Sequence, residues 1–170
     1  MDTIYQTLDH SRLAAELFLN GYNCAQAVAV AFCDVTGLDK KLAARISSSF
    51  GGGMGRLREV CGAVSGMAMV AGMLYGYDDA QDDESKKAHY QRVQQLAGEF
   101  RQQMGSIICR ELLQNPPSDP MPSPRTTEYY AQRPCARFVM AAAEILDDYI
   151  QKNPLGKCEN SYCKTGKAML

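Results

Sequence analysis

The sequence predicts an all-α fold, a single-domain helical bundle of about six helices. Three observations carry this expectation. Apolar residues recur at three- and four-residue spacing through most of the chain, as on a helix with one buried face. No segment alternates polar and apolar residues in the manner of a half-buried strand. Glycine, asparagine and aspartate stand between the periodic segments, where they stop one helix and start the next. The 170 residues fit one domain. Residues 1–150 are expected to form the helical domain that carries the cysteine chemistry, with 151–170 as a polar C-terminal tail.

The elements follow in order. Residues 4–19 place Ile4, Leu8, Leu13, Leu17 and Phe18 near helical spacing, and Asn20-Gly21 stops that helix. Asn23 suits the N-cap of a second helix, 24–36, on which Cys24, Val28, Ala31, Phe32 and Val35 share a face. Gly37 ends it, and Asp39 caps a third helix to about residue 48. A glycine-rich loop, 50–60, leads into an apolar helix over 61–75. A long polar helix spans 82–104, with Ala88, Val93, Leu96, Ala97 and Phe100 as its inner positions and Gly105 as its stop. A short helical piece covers 107–113. The five prolines within 115–125 predict an irregular loop. The last helix runs over 134–150, with Pro134 in its first turn, where a missing N–H costs nothing.

Composition excludes several classes of function. A net charge of −1 and scattered basic residues give no electrostatic footprint for nucleic acid. Residues 61–77 hold no charge and include a Gly62-x-x-x-Gly66 spacing. They are at the short edge of a membrane span, and burial in a bundle is the expectation. The face bearing Gly62, Gly66 and Gly72 suits packing within the chain or across a homodimer. The first residues lack the basic-then-apolar layout of a secretion signal, so a cytoplasmic location is expected. In that compartment seven cysteines read as redox thiols, metal ligands or buried apolar residues rather than as a disulfide scaffold.

Four of the seven stand where helices begin. Cys24 follows Asn23, Cys61 follows the glycine loop, Cys109 follows Gly105-Ser106, and Cys135 follows Pro134. A helix N-terminus favours the thiolate, the form that attacks disulfides and binds metals. Arg56 and Arg58 would add to this at Cys61 if they fold toward it. Gly51, Gly52, Gly53 and Arg56 are candidates for cradling an anion or cofactor, although no Walker motif closes the loop. Cys33, nine residues from Cys24 on one helix, points the opposite way and reads as a small buried hydrophobe. Cys158 and Cys163, separated by four residues, form a pair on the tail. The spacings of 37, 48 and 26 residues between the four match no zinc-finger or ferredoxin signature, so folding would have to assemble any shared site. His10 and His89 are expected on solvated polar faces, which leaves thiols as the main chemistry.

Gly-Tyr-Asn-Cys-Ala-Gln-Ala (21–27), Phe-Gly-Gly-Gly-Met-Gly (50–55), Cys-Gly-Ala-Val-Ser-Gly (61–66), Cys-Arg-Glu-Leu (109–112) and Cys135 together resemble the C_GCAxxG_C_C family of redox-active proteins. The match spans about residues 10–148, and the proline loop looks like a variable insertion within it. The resemblance implies that Cys24, Cys61, Cys109 and Cys135 act together, and it gives no role to Cys33, Cys158 or Cys163. Three readings stay open. The first is a thiol–disulfide redox protein with an unnamed redox partner, Cys61 attacking and Cys24 resolving. The second is a four-thiolate module holding zinc or an iron–sulfur cluster on Cys24, Cys61, Cys109 and Cys135. The third is a helical module whose cysteines are simply buried.

Overall fold

The computed structural model describes residues 9–155. The described residues are all-α, with no strand among them. The helices are α1 (His10–Leu19), α2 (Cys24–Ala31), α3 (Cys33–Thr36), α4 (Lys40–Ser47), α5 (Gly62–Tyr75), α6 (Asp83–Met104), α7 (Cys109–Leu112), α8 (Thr127–Gln132) and α9 (Cys135–Lys152), with a 3-10 turn over Ser48–Phe50. Among the described residues that is nine where about six were expected, because short pieces count separately. The helix expected over 24–36 divides at Phe32 into α2 and α3, and α8 was not anticipated after the proline loop. Ile4 and Leu8 lie outside the described residues.

Local chemistry sets most boundaries. Asp9, Asn23, Asp39, Asp82 and Thr126 each accept a backbone N–H at the start of a helix, satisfying donors with no intrahelical partner. Gly37 and Gly105 end α3 and α6 in left-handed conformation. Pro134 sits one residue earlier than expected, at the N-cap of α9.

The α1 helix packs along α9 and α2, α5 lies across α2, and α6 closes against α5 and α9. Phe18, Phe32, Met67, Leu96, Phe100 and Leu146 fill the space between them. The small-residue face of α5 is used within the chain: a methyl group on Gly66 would come 2.7 Å from the Ala25 carbonyl oxygen, so the two helices meet backbone to backbone. Among the described residues no helix is long and apolar enough to cross a membrane. On α6, Leu96 and Phe100 face inward as expected, whereas Ala88 is exposed and its neighbour His89 is half-buried, close to Gly72.

His10 departs most from expectation. It is 6% exposed, stacked on Phe32 at 4.1 Å between ring centroids. Its Nδ1 lies 2.6 Å from Asp147 and its Nε2 3.1 Å from Asp34. Both nitrogens donate only when the ring is protonated. Burial pulls its pKa down, but the Asp147 and Asp34 carboxylates outweigh burial and hold it above the ordinary 6.5. A folded pKa above the unfolded one gives stability that is fully present below about pH 6.5 and lost as pH rises through the folded value. His10→Gln is expected to flatten that dependence, measured as urea midpoints across about pH 5 to 9. A wild-type midpoint that rises through this range would contradict it.

Candidate functional site

The four singled-out cysteines do stand at helix starts: Cys24, Cys109 and Cys135 are the first residues of α2, α7 and α9, and Cys61 is the N-cap of α5. Each of the first three starts along the chain is pinned by hydrogen bonds. Asn23 Oδ1 accepts from Ala25 N and Gln26 N at 3.0 Å, and Gln26 Oε1 accepts from Asn23 N, a reciprocal cap that fixes the first turn under Cys24. The Asn23 amide also donates to Ser48 O, tying that turn to the approach of the glycine loop. Cys61 N–H donates to Ile107 O at 2.8 Å, and Cys109 N–H donates to Glu59 O at 2.6 Å. These bonds flank an isolated antiparallel bridge between Val60 and Ile108, which lashes the starts of α5 and α7 together.

The glycine loop serves this junction. Gly52 and Gly53 take φ of 63° and 73°, open to glycine at no steric cost. At Gly53 a methyl group would stand 2.7 Å from Cys109 Cβ, so only glycine lets the loop lie against that residue. Arg56 and Arg58 also take left-handed φ, 68° and 63°, at about 1–2 kcal/mol each for residues with a Cβ. Their side chains are held by the proline loop. Arg56 Nε donates to Asp119 O and Nη1 to Ser123 Oγ, while Arg58 Nε donates to Pro117 O at 2.9 Å. The loop that looked like an insertion is therefore a wall of the site.

That wall helps enclose a cavity of about 300 Å³. All four cysteines line it, as do Gly51, Gly52 and Arg56 of the candidate anion cradle. Gly53 lies behind, against Cys109, and is not on the cavity surface. Cys33 is elsewhere, buried with Val30 and Ala43 as expected, although it begins α3 rather than sharing one helix with Cys24. Phe18, Tyr129, Arg125 and Arg133 add an aromatic and basic side to the lining. Sequence reasoning missed Arg125 and Arg133; their only signal was position beside the proline loop and beside Cys135.

The thiols are not equivalent. Cys61 is 4% exposed, and burial pushes its pKa up to about 12 despite backbone N–H groups of Ala63 and Val64 that favour the thiolate. Burial likewise raises Cys109, against the pull of Arg58, whose Nη1 is 3.9 Å from the Cys109 sulfur. Arg58 therefore reaches Cys109, not Cys61 as anticipated. Cys24 and Cys135 form a pair. The two thiols line the same cavity, and their interaction holds Cys24 well above the ordinary thiol range and Cys135 below it. Arg133, Arg125 and Arg58 further favour the Cys135 thiolate and offset its burial. A helix N-terminus alone does not make a dry thiol acidic; a partner thiol and nearby guanidinium groups can offset the burial.

All five described cysteines are free thiols. Among the described residues no group of three or more His, Cys, Asp and Glu side chains is placed to hold a metal ion, so the four sulfurs share a cavity without converging on one point. Cys158 and Cys163 lie outside the described residues.

Comparison with known proteins gives a family match: the family model described as "Putative redox-active protein (C_GCAxxG_C_C)" aligns with residues 22–149. No curated protein and no solved structure matches the chain.

Proposed function

Because the chain belongs to the C_GCAxxG_C_C family, described as redox-active, we propose that it is a thiol–disulfide redox protein in which Cys135 attacks and Cys24 resolves. The observation that carries this reading is that Cys24 and Cys135 line one cavity together with Arg58, Arg125 and Arg133, where Cys24 and these guanidinium groups hold Cys135 below the ordinary thiol range. The Cys135 thiolate attacks one sulfur of a substrate disulfide, and the other leaves as a thiolate that takes up a proton. Cys24 then loses its proton and attacks Cys135, forming the Cys24–Cys135 disulfide and releasing the second substrate thiol. The substrate gains two electrons, the pair loses two, and an external dithiol returns them. Cys61, with its pKa pushed up to about 12, stays protonated at neutral pH and takes no part in the attack.

The rate of alkylation by iodoacetamide against pH, read on the peptide containing Cys135, tests the pairing. In the wild-type protein Cys135 is expected to react first, with half-maximal rate below pH 9, the ordinary thiol value. Cys24→Ala removes the neighbouring thiol and is expected to move that midpoint up, while Cys24→Ser, whose O–H can donate to a thiolate, is expected to hold it down. A midpoint equal in all three proteins would remove the pair from the mechanism. Near-stoichiometric zinc or iron in protein purified without oxygen, lost on replacing any one of the four cysteines, would assign the thiols to a metal centre instead.

A further inference from the structure

The cavity that holds the thiol pair is lined by four arginines, Arg56, Arg58, Arg125 and Arg133, and by no carboxylate. Arg56 pairs with Asp119 at 3.6 Å. The other three have no carboxylate within ion-pair distance among the described residues. Arg58 is the sharpest case. It is 3% exposed, Nε is bonded to Pro117 O, Nη1 touches Cys109, and the buried Nη2 has no partner among the described residues. A buried charged donor left unpaired is costly, more so than a neutral one. Arg125 lies 4.9 Å from the Phe18 ring centroid and 5.0 Å from that of Tyr129, and Arg133 lies 5.1 Å from Tyr129. Aromatic faces hold a guanidinium in place without neutralising it.

We propose that this cavity binds a small organic disulfide bearing carboxylate groups, with a carboxylate received by Arg58 and Arg125 and the S–S bond presented to Cys135. The inference rests on the thiol–disulfide reading and adds the substrate class to it. A guanidinium fork matches a carboxylate in geometry and charge, and Nη2 of Arg58 is the donor still to be satisfied. Size favours a small molecule. A volume of about 300 Å³ is at the lower end for ligand pockets. Cys135 is 5% exposed, too deep for a disulfide held in a folded protein surface to reach.

Three disulfides of similar length separate charge from reactivity: dianionic 3,3′-dithiodipropionate, uncharged bis(2-hydroxyethyl) disulfide and cationic cystamine. The rate of each with the protein is divided by its rate with a free small thiol at the same pH. The dianion is expected to lead the neutral compound by about tenfold or more, the size of a charge-assisted hydrogen bond, with cystamine last. Arg58→Gln is expected to bring the first ratio to within about threefold of unity. The same change weakens support for the Cys135 thiolate, but that slows all three substrates alike and leaves the ratio to report anion recognition. If Arg58→Gln does not fold, Arg125→Gln carries the same expectation. Equal normalised rates in the wild type overturn the proposal. Octanedioate, with two methylenes in place of the sulfurs, separates the two layers by calorimetry. If it binds and no disulfide is reduced, the anion site stands and the disulfide chemistry falls. Disulfide reduction without charge preference does the reverse.

Discussion

Replacing Cys135 by alanine is expected to drop disulfide reduction to the uncatalysed rate, whereas Cys61→Ala is expected to leave most of it. Both stand at helix starts, and the sequence favours Cys61, which follows the glycine loop beside Arg56 and Arg58. Their surroundings differ. Cys135 neighbours Cys24 and three guanidinium groups, which hold its pKa below the ordinary thiol value. Cys61 lies among apolar neighbours with its pKa pushed up to about 12, so almost none of it is thiolate at neutral pH. Cys24→Ala is expected to stop the cycle halfway, since no resolver remains. The substrate half should then stay on Cys135 as a mixed disulfide, visible as one added mass per chain that dithiothreitol removes. Far-ultraviolet circular dichroism of each variant separates lost chemistry from lost folding. Full activity in Cys135→Ala with none in Cys61→Ala would reassign the attack.

Gly66→Ala is expected to destabilise the protein by about 1–3 kcal/mol, the usual cost of overpacking a closed core. At an exposed helical position the same change would stabilise by roughly 0.5–1 kcal/mol, because alanine is the better helix former. Here the added methyl would stand 2.7 Å from Ala25 O and 3.0 Å from Val28 Cβ, and a backbone oxygen cannot rotate aside. Relief requires α5 to move away from α2. Those two helices carry Cys61 and Cys24 at their starts, so the cavity wall shifts with them. The variant should therefore lose disulfide-reduction rate as well as urea midpoint. Gly98→Ala provides the control: nothing lies within 4 Å of its added methyl, and the midpoint should hold or rise. Unchanged stability in Gly66→Ala would show that the α2–α5 contact is looser than it stands.

Features written within a few consecutive residues are legible in the sequence. Asn23 and Asp39 cap helices because a side-chain oxygen reaches N–H groups two or three residues ahead. Gly37 and Gly105 stop helices because a glycine takes left-handed φ without cost. The helix-start positions of Cys24, Cys61, Cys109 and Cys135 follow from the same local rules. So does the all-α class. His10 shows where local reading ends. Its sequence neighbours are polar, yet Asp34, Asp147 and Phe32 arrive from other helices and bury it.

That Cys24, Cys61, Cys109 and Cys135 begin helices is written in the chain itself; that Cys33 also begins one, and how acidic each thiol is, depends on the folded surroundings. A helix N-terminus is a local property, fixed by the cap and the first turn. A thiol's acidity depends on how much water surrounds it and on which donors and charges stand nearby. Those are set by segments remote in sequence: Cys24 against Cys135, Arg58 against Cys109, the proline loop against Arg56. At Cys61 the desolvation that comes with folding outweighs the helix-start effect and reverses the expected acidity. At Cys135 the neighbouring Cys24 and three arginines outweigh the same desolvation and move its pKa down instead.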